Sequence, residues 1–286
     1  MQEIAPNVFI ETNYVGVTIG AIKWSRGLIL VDAPFLGEDV RSYRSSLASL
    51  GGTSNIMLVV LDAHYDRTLG TKAMDCTIIS HEKVAQVFRD RPISLKPQLE
   101  STGAEFEQHD GLSGTRWSAP EITYSQRMEI HCDDHPVVLE HHPGPSYGAT
   151  WVLLPGRQII FIGDAVVPGA PPFLSYADIP AWLETLDLLL TSQYKNHTIV
   201  SSRGGLITHR QVKDQAHYLT HVLKELNKIS SRNGLPEDTE KLLPGLLKDF
   251  KVPPGRQSQY QQRLAYGLYN YYAKHCRVLE PDNPEA

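Results

Sequence analysis

Long apolar runs, paired cysteines and basic clusters are all missing from this sequence of 286 residues. No stretch stays apolar over the roughly 20 residues that a membrane-spanning helix needs, so we expect no membrane contact. The first residues lack the basic and apolar regions of a secretory signal, which leaves the cytoplasm as the expected location. These absences predict a soluble globular protein.

Cysteine and positive charge are both scarce in ways that exclude particular functions. The three cysteines, Cys76, Cys132 and Cys276, show no CxxC spacing, which argues against a disulfide framework and against a cysteine-based zinc site. The net charge is −5 with no basic cluster, so the chain offers no electrostatic footprint for nucleic acid. A small molecule or another protein is the expected partner.

Short apolar segments predict strands in two groups, each accompanied by helices. The first group is NVFIETN, VGVTIGAIKW, GLILVDAP, IMLVVLD and CTIIS. The second is RMEIH, PVVLEHH, ATWVLLP, RQIIFIGDA and HTIVSS. Helices are predicted before IMLVVLD, from His81, around residues 94 to 108, and over IPAWLETLDLLL. This order suits two sheets packed face to face and covered by helices on the outside.

The last third of the chain is predicted to be helical. From Thr208, apolar residues recur at spacings of three and four, as Val212, Ala216, Leu219, Leu223 and Leu226. After the breaker-rich SRNGLPED come a short helix, VPPG and a final helix that carries Tyr260, Leu264, Leu268, Tyr271 and Tyr272. We expect these tyrosines to pack the extension onto the domain with their hydroxyls in water, the alternatives being a pocket lining or a dimer contact.

One loop concentrates charged and metal-binding side chains. VVLDAHYDRTLG, residues 59 to 70, runs from an apolar strand into Asp62, His64, Asp66 and Arg67. Imidazole and carboxylate groups at such spacing are ligands that zinc and related ions prefer, whereas arginine is not. The loop therefore indicates either a metal site or what is left of one.

Five segments in this order resemble the metallo-β-lactamase fold: GLILVDAP, VVLDAHYDRTLG, HHPGPSYGAT, VLLPGRQIIFIGDAV and IVSSRGGLIT. The resemblance implies an α/β, four-layer αββα sandwich with a C-terminal helical extension. It implies a domain over residues 1–225 and an extension over residues 226–286 that packs on it. Each of the five segments would lie at a strand end that lines the family's cleft.

The resemblance also implies a site for two transition metals, usually zinc. Members of the family carry HxHxDH, a His after a PG pair, an Asp in a GD dipeptide and a late His, and the metals turn a bound water into a hydroxide nucleophile. His64, Asp66 and Asp164 match this pattern. Four positions do not, because Asp62, Arg67, Pro145 and Arg203 stand where histidines are expected.

These replacements affect the two metals differently. One metal would need Asp66, Arg67, Arg203 and Asp164. Arginine stays protonated and has no lone pair to donate, so this site is predicted to be lost. The other would keep Asp62, His64 and Asp164, which leaves room for a single ion.

Charge favours a cleft without metals. The two arginines oppose three aspartates, a remainder of −1 that a protonated His64 would cancel. We expect the neighbouring carboxylates to raise the pKa of His64 and the arginines to pair with the carboxylates as internal counterions. His142, just before the PG pair, is a further cleft residue. The predicted cleft residues are Asp62, His64, Asp66, Arg67, His142, Asp164 and Arg203.

Two function classes remain. In the first, the chain is a pseudoenzyme with no catalytic residue, no metal and no cofactor, which binds a small anionic molecule or a protein in the former cleft. A homodimer through the C-terminal helices would fit this class. In the second, it is a divergent hydrolase with one zinc, iron or manganese ion at Asp62, His64 and Asp164. Pro145 favours the first, since it removes an imidazole from the better-preserved site.

Overall fold

A computed structural model describes residues 1–51, 55–92, 94–95 and 101–276. The first sheet has the strand order β1-β2-β3-β4-β5-β6-β7. Its first four strands pair antiparallel and the later ones parallel. The strands are β1 Gln2–Ala5, β2 Val8–Glu11, β3 Ile19–Trp24, β4 Gly27–Val31, β5 Ile56–Val59, β6 Thr77–His81 and β7 Ile122–Tyr124.

The second sheet has the order β13-β12-β11-β10-β9-β8, and only β11 and β12 within it run parallel. Its strands are β8 Arg127–Ile130, β9 Val137–His141, β10 Thr150–Leu154, β11 Ile159–Phe161, β12 Thr198–Ser201 and β13 Gly205–Ile207. The parallel pairs in both sheets need crossovers, which the helices provide.

The α-helices are α1 Gly37–Ser49, α2 Tyr65–Thr68, α3 Thr71–Met74, α4 Glu82–Asp90, α5 Ile179–Leu189, α6 His209–Ser230, α7 Leu243–Leu246 and α8 Gln257–His275. Short 3₁₀ helices lie at Phe106–Gln108, Pro155–Arg157, Gly163–Ala165, Pro236–Leu242 and Leu247–Asp249. A capping box formed by Thr208 and Gln211 starts α6. No helix in the described part of the chain is both long and apolar enough to span a bilayer.

Three apolar clusters define four layers. The inner faces of the two sheets share one cluster, in which Val59 of β5 and Val152 of β10 are fully buried. A second cluster packs α1 on the outer face of the first sheet. A third packs α5, α6 and α8 on the outer face of the second sheet, around the buried Trp151. The predicted αββα sandwich with C-terminal helices is confirmed.

Several local predictions need correction. Three short strands, β1, β7 and β13, were not predicted, because three or four residues are too few to show an alternating pattern. The prediction of a helix around residues 94 to 108 is wrong for the described part of that range, in which only Phe106–Gln108 is helical. Residues 96–100 lie outside the described residues. The division at residue 225 remains a prediction, and α6 runs through it without a break.

The tyrosines of α8 pack the extension onto the domain as predicted. Tyr260, Tyr271 and Tyr272 are all buried in the cluster that covers the second sheet. The expectation that their hydroxyls remain in water is wrong for Tyr272, whose hydroxyl donates a hydrogen bond to the Gly234 carbonyl at 2.8 Å. Burial of the ring requires this partner, because an unpaired buried hydroxyl is costly.

Candidate functional site

The loop after β5 turns sharply because its own side chains satisfy its backbone. Asp62 accepts a hydrogen bond from the backbone N–H of His64 at 2.8 Å. His64 is the N-cap of α2, and its Nδ1 accepts from the N–H of Asp66 at 3.2 Å. Asp66 and Arg67, in this single helical turn, are completely buried.

Two further loops bring Asp164 and Arg203 to the same place. Asp164 lies in the 3₁₀ turn directly after β11, where Gly163 has a left-handed φ of 59°. Arg203 follows β12, and its backbone N–H donates to Ser201 Oγ at 3.1 Å. The adjacent, parallel β11 and β12 end at the same edge of the sheet, which is why these two residues meet.

Arg67 is fully buried and lies among three carboxylates. Its Nη2 is 2.5 Å from Asp164 Oδ1, and its Nη1 is 3.1 Å from Asp32 Oδ2. Its Nε lies 3.1 Å from Asp62 Oδ1, and Nη1 also donates to Ser202 Oγ at 3.2 Å. Each of the three guanidinium nitrogens therefore faces a different carboxylate, and Nη1 and Nη2 donate charge-assisted hydrogen bonds to Asp32 and Asp164.

Arg203 contacts the other residues at predicted ligand positions. Its Nη1 is 2.7 Å from Asp66 Oδ2 and 3.0 Å from the Gly16 carbonyl. Its Nε is 3.1 Å from Asp164 Oδ2, and its Nη2 lies 3.2 Å from His64 Nδ1. Only 6% of the side chain is exposed. We call Asp32, Asp62, Asp66, Arg67, Asp164 and Arg203 the Arg–Asp cluster.

Asp32 was not among the predicted cleft residues. It follows β4 with a left-handed φ of 58° and is fully buried. It accepts from the Leu61 N–H at 2.9 Å and from Ser202 Oγ at 3.0 Å, besides pairing with Arg67. The signal that could have identified it is an acidic residue directly after the apolar strand GLILV.

The cluster contains four carboxylates and two guanidinium groups, so it is negatively charged when every group is ionised. Burial raises the pKa of Asp32 to about 6, although Arg67 opposes this shift. Burial and the nearby Asp164 also raise the pKa of Asp62. In contrast, the two arginines outweigh burial at Asp164 and lower its pKa. Asp32 and Asp62 are thus the carboxyl groups of the cluster that take up a proton more readily than an ordinary aspartate as the pH falls.

The prediction that carboxylates would raise the pKa of His64 is wrong. Burial lowers that pKa to about 3, and the positive charge of Arg203 adds to this, while Asp66 opposes it. The hydrogen bonds agree, because the Asp66 N–H and Arg203 Nη2 both point at Nδ1, which must therefore be the acceptor. His64 is neutral and carries its proton on Nε2.

The predicted cleft residue His142 is not brought into the cluster. Its ring stacks on Trp151 with 3.7 Å between the centroids, and its Nε2 lies 3.2 Å from Glu140 Oε2. The neighbouring His141 stacks instead on His81 at 3.9 Å. Pairing with aromatic rings and a carboxylate accounts for these side chains without a ligand.

The donor set does not fit two transition metals. Both oxygens of Asp164 accept from arginine, and both oxygens of Asp66 accept from Arg203 or from backbone N–H groups. His64 Nδ1 already faces two donors. Across the described ranges, no three His, Cys, Asp or Glu side chains are grouped as a metal would require. A single ion at Asp62, His64 and Asp164 meets the same obstacle, because arginine holds Asp164.

Comparison with known proteins agrees with this fold. Residues 71–201 match the family model described as the metallo-beta-lactamase superfamily. No curated protein matches the sequence. The matched segment starts after residues 62–67, so the match does not depend on the loop whose ligands are replaced.

Solved structures support the same class. A metallo-beta-lactamase family protein from Thermus thermophilus is 14% identical, with a TM-score of 0.64 over 93% of this chain and 94% of that one. A metallo-beta-lactamase from Pontibacter korlensis is 14% identical, with a TM-score of 0.58 over 77% and 97%. The sec-alkylsulfatase Pisa1 from Pseudomonas sp. is 12% identical, with a TM-score of 0.63 over 96% of this chain and 49% of the enzyme. Residues 71–201 thus match the superfamily's model, and the chain as a whole has the metallo-β-lactamase fold.

Proposed function

We propose that this chain is a non-hydrolytic member of the superfamily, a pseudoenzyme, in which arginine side chains replace the metal ions of the active site. The observation that carries the proposal is the pairing of Arg67 and Arg203 with the aspartates of the ligand positions. Each guanidinium group takes up the carboxylate oxygens that a metal would need. The cluster then stabilises the fold and does no chemistry.

The same contacts bear on what the protein binds. A small anion in the former cleft would need a free cationic group, but both arginines are already paired, and the cluster has more carboxylates than arginines. A partner protein is therefore the better supported occupant of the two that the sequence suggested. It would bind over the cleft surface without entering the cluster.

Two further features belong to this proposal. Cys76, Cys132 and Cys276 are all free thiols, the state that a reducing compartment such as the cytoplasm maintains. Leu235 and Tyr269 of the extension are exposed, and such apolar side chains would serve a homodimer through the C-terminal helices.

Elemental analysis of protein purified without chelator tests the proposal. We expect well under one equivalent of transition metal per chain, because the ligand atoms are engaged by arginine. Two equivalents of zinc that survive dialysis would overturn it. One tightly held equivalent of zinc, iron or manganese would instead favour the alternative, a divergent hydrolase with a single metal at Asp62, His64 and Asp164.

A further inference from the structure

The final helix contributes a buried arginine beside the Arg–Asp cluster. The side chain of Arg263 in α8 is only 2% exposed. Its Nε and Nη2 donate to the Gly103 carbonyl at 2.9 and 2.8 Å, and its Nη2 is 3.4 Å from Glu105 Oε1. An arginine is rarely buried on a helix unless its donors are satisfied, and here a loop of the domain satisfies them.

That loop, residues 101–108, connects α8 to the cluster. The backbone N–H groups of Glu105 and Phe106 donate to Asp66 at 3.2 and 2.9 Å. The Glu105 side chain points the other way, where it accepts from Gln259 at 3.0 Å and pairs with Arg256. Residue 105 therefore contacts the former ligand Asp66 through its backbone and α8 through its carboxylate.

A ring fills the gap between the two arginines. Phe173 has the guanidinium carbon of Arg203 4.7 Å and that of Arg263 4.2 Å from its centroid. The His64 ring lies 4.3 Å from the same centroid. A ring face attracts a cation, so Phe173 lets two like charges approach each other in a dry environment. Burial and Arg203 lower the pKa of Arg263 to about 10, which leaves it charged at neutral pH.

Glycines permit the loop to lie this close on both sides. A Cβ on Gly103, whose φ is +73°, would come within 2.6 Å of backbone and side-chain atoms of Arg263 and Gln259. A Cβ on Gly16 would come within 2.8 Å of Glu105 Cβ. The loop is therefore held between α8 and the segment that contains Gly16, and its N–H groups contact Asp66 there.

We propose that α8 acts as a strap, a helix that holds a loop closed over the former active site. Under this proposal α8, residues 101–108 and residues 62–68 open and close as one unit. Release of Arg263 and Glu105 would free the two N–H groups that cover Asp66 and uncover Arg203. A ligand that contacts Asp66 would first have to displace residues 101–108, which Arg263 of α8 holds in place. This inference concerns access and does not rest on the metal content of the site.

Hydrogen exchange read by mass spectrometry tests the strap in the full chain. Arg263→Met keeps the aliphatic stem but removes the donors, and Arg210→Met is the matched control because the Arg210 side chain is 90% exposed. We expect Arg263→Met to speed exchange by about tenfold or more at residues 62–68 and 101–108, since charge-assisted hydrogen bonds are lost there. Exchange in β9 and β10 should not change, nor should any region in the control.

Two outcomes would overturn the strap: exchange at residues 101–108 as slow as in the parent, or an equal increase across the whole chain. Should Arg263→Met fail to fold, Glu105→Gln weakens the same contact with α8 and keeps the backbone N–H groups, and the same regional acceleration is expected. The parent alone gives a third test in urea below its unfolding midpoint. The free energy of opening, obtained from exchange, should then fall with urea concentration at one common slope for residues 62–68, residues 101–108 and α8. Three different slopes would refute the proposal.

Discussion

The Nη1 atom of Arg203 lies 2.7 Å from Oδ2 of Asp66, and both side chains are buried. A pair in this environment differs from a surface pair. Separating surface charges costs about 0 to 1 kcal/mol, whereas breaking a buried pair on one side costs about 3 to 5 kcal/mol. The change in the free energy of unfolding when this pair is broken therefore reports how much the pair stabilises the cleft.

Arg203→Ala should destabilise the protein by about 3 to 5 kcal/mol at pH 7, because Asp66 and Asp164 lose a buried partner. The pKa of an unpaired buried carboxyl is raised, so its penalty is present above that pKa and is relieved as pH falls through it. Urea unfolding at pH 7 and pH 5 should show a smaller loss at pH 5. The exposed Arg210→Ala should change stability by no more than about 0.5 kcal/mol.

A double-mutant cycle identifies the partner. Arg203→Ala combined with Asp66→Asn should recover part of the loss, since Arg203 is the arginine that pairs with Asp66, whereas Asp164 stays paired with Arg67 in the single variant. If Arg203→Ala is as stable as the parent at both pH values, the internal-counterion hypothesis is wrong. Arg203 would then be a group that waits for an anionic ligand.

Much of the fold, and the meeting of five charged residues, could be predicted from the sequence. Asp62, Asp66 and Arg67 lie in one loop, and the strands before Asp164 and Arg203 show clear apolar runs, so their places at strand ends follow from local pattern. That they meet in one cleft was predicted from the resemblance to the metallo-β-lactamase fold. Arginine at ligand positions then predicts pairing with carboxylates, and the structure contains these ion pairs.

What could not be predicted depends on distance and burial. Asp32 and Gly16 reach the cluster from loops far away in the chain, and Arg263 is more than 50 residues from any cluster member. The protonation of His64 was predicted wrongly because the sequence shows its charged neighbours but not its burial. The sequence shows neither the hydrogen bonds nor the desolvation that decide between the two forms.

Hydrolysis should be absent. We expect no metal-dependent turnover of ester, thioester, lactam or phosphodiester substrates above background, because arginine groups engage the carboxylates that would bind the metals. Addition of a chelator should leave any background rate unchanged. Activity that a chelator abolishes and that manganese or zinc restores would contradict the pseudoenzyme proposal and support the single-metal hydrolase.

The neutral state of His64 predicts a loss of stability on the acid side. Its pKa of about 3 in the folded protein is below the ordinary value of 6.5, so the contribution is complete above 6.5 and declines as pH falls toward 3. Asp32, with its pKa raised to about 6, acts oppositely, because the penalty for its charge grows as pH rises from about 4 to 6. The two effects partly cancel between about pH 4 and 6 in the parent.

Substitution separates the two effects. His64→Asn keeps a side chain that can cap α2 but does not titrate. Between pH 7.5 and 5 the parent should lose about 2 kcal/mol more stability than His64→Asn, measured by urea unfolding. Equal pH dependence of the two proteins would mean that His64 is protonated in the folded state at pH 5.

Restoring the four lost ligands should restore metal binding. The variant Asp62→His, Arg67→His, Pro145→His and Arg203→His supplies imidazoles at the positions where the superfamily pattern has them, beside His64, Asp66 and Asp164. We expect it to take up about two equivalents of zinc, the number that this ligand pattern holds, while the parent takes up none. Its unfolding midpoint should rise with added zinc and fall with chelator, because Asp66 and Asp164 then have no other counterion.

The control Asp62→His with Pro145→His keeps both arginines, and it should bind at most one ion weakly, since Arg67 and Arg203 still hold Asp164. If this control binds two equivalents as tightly as the fourfold variant, the arginines do not exclude the metals, and the explanation of the cleft by internal replacement fails.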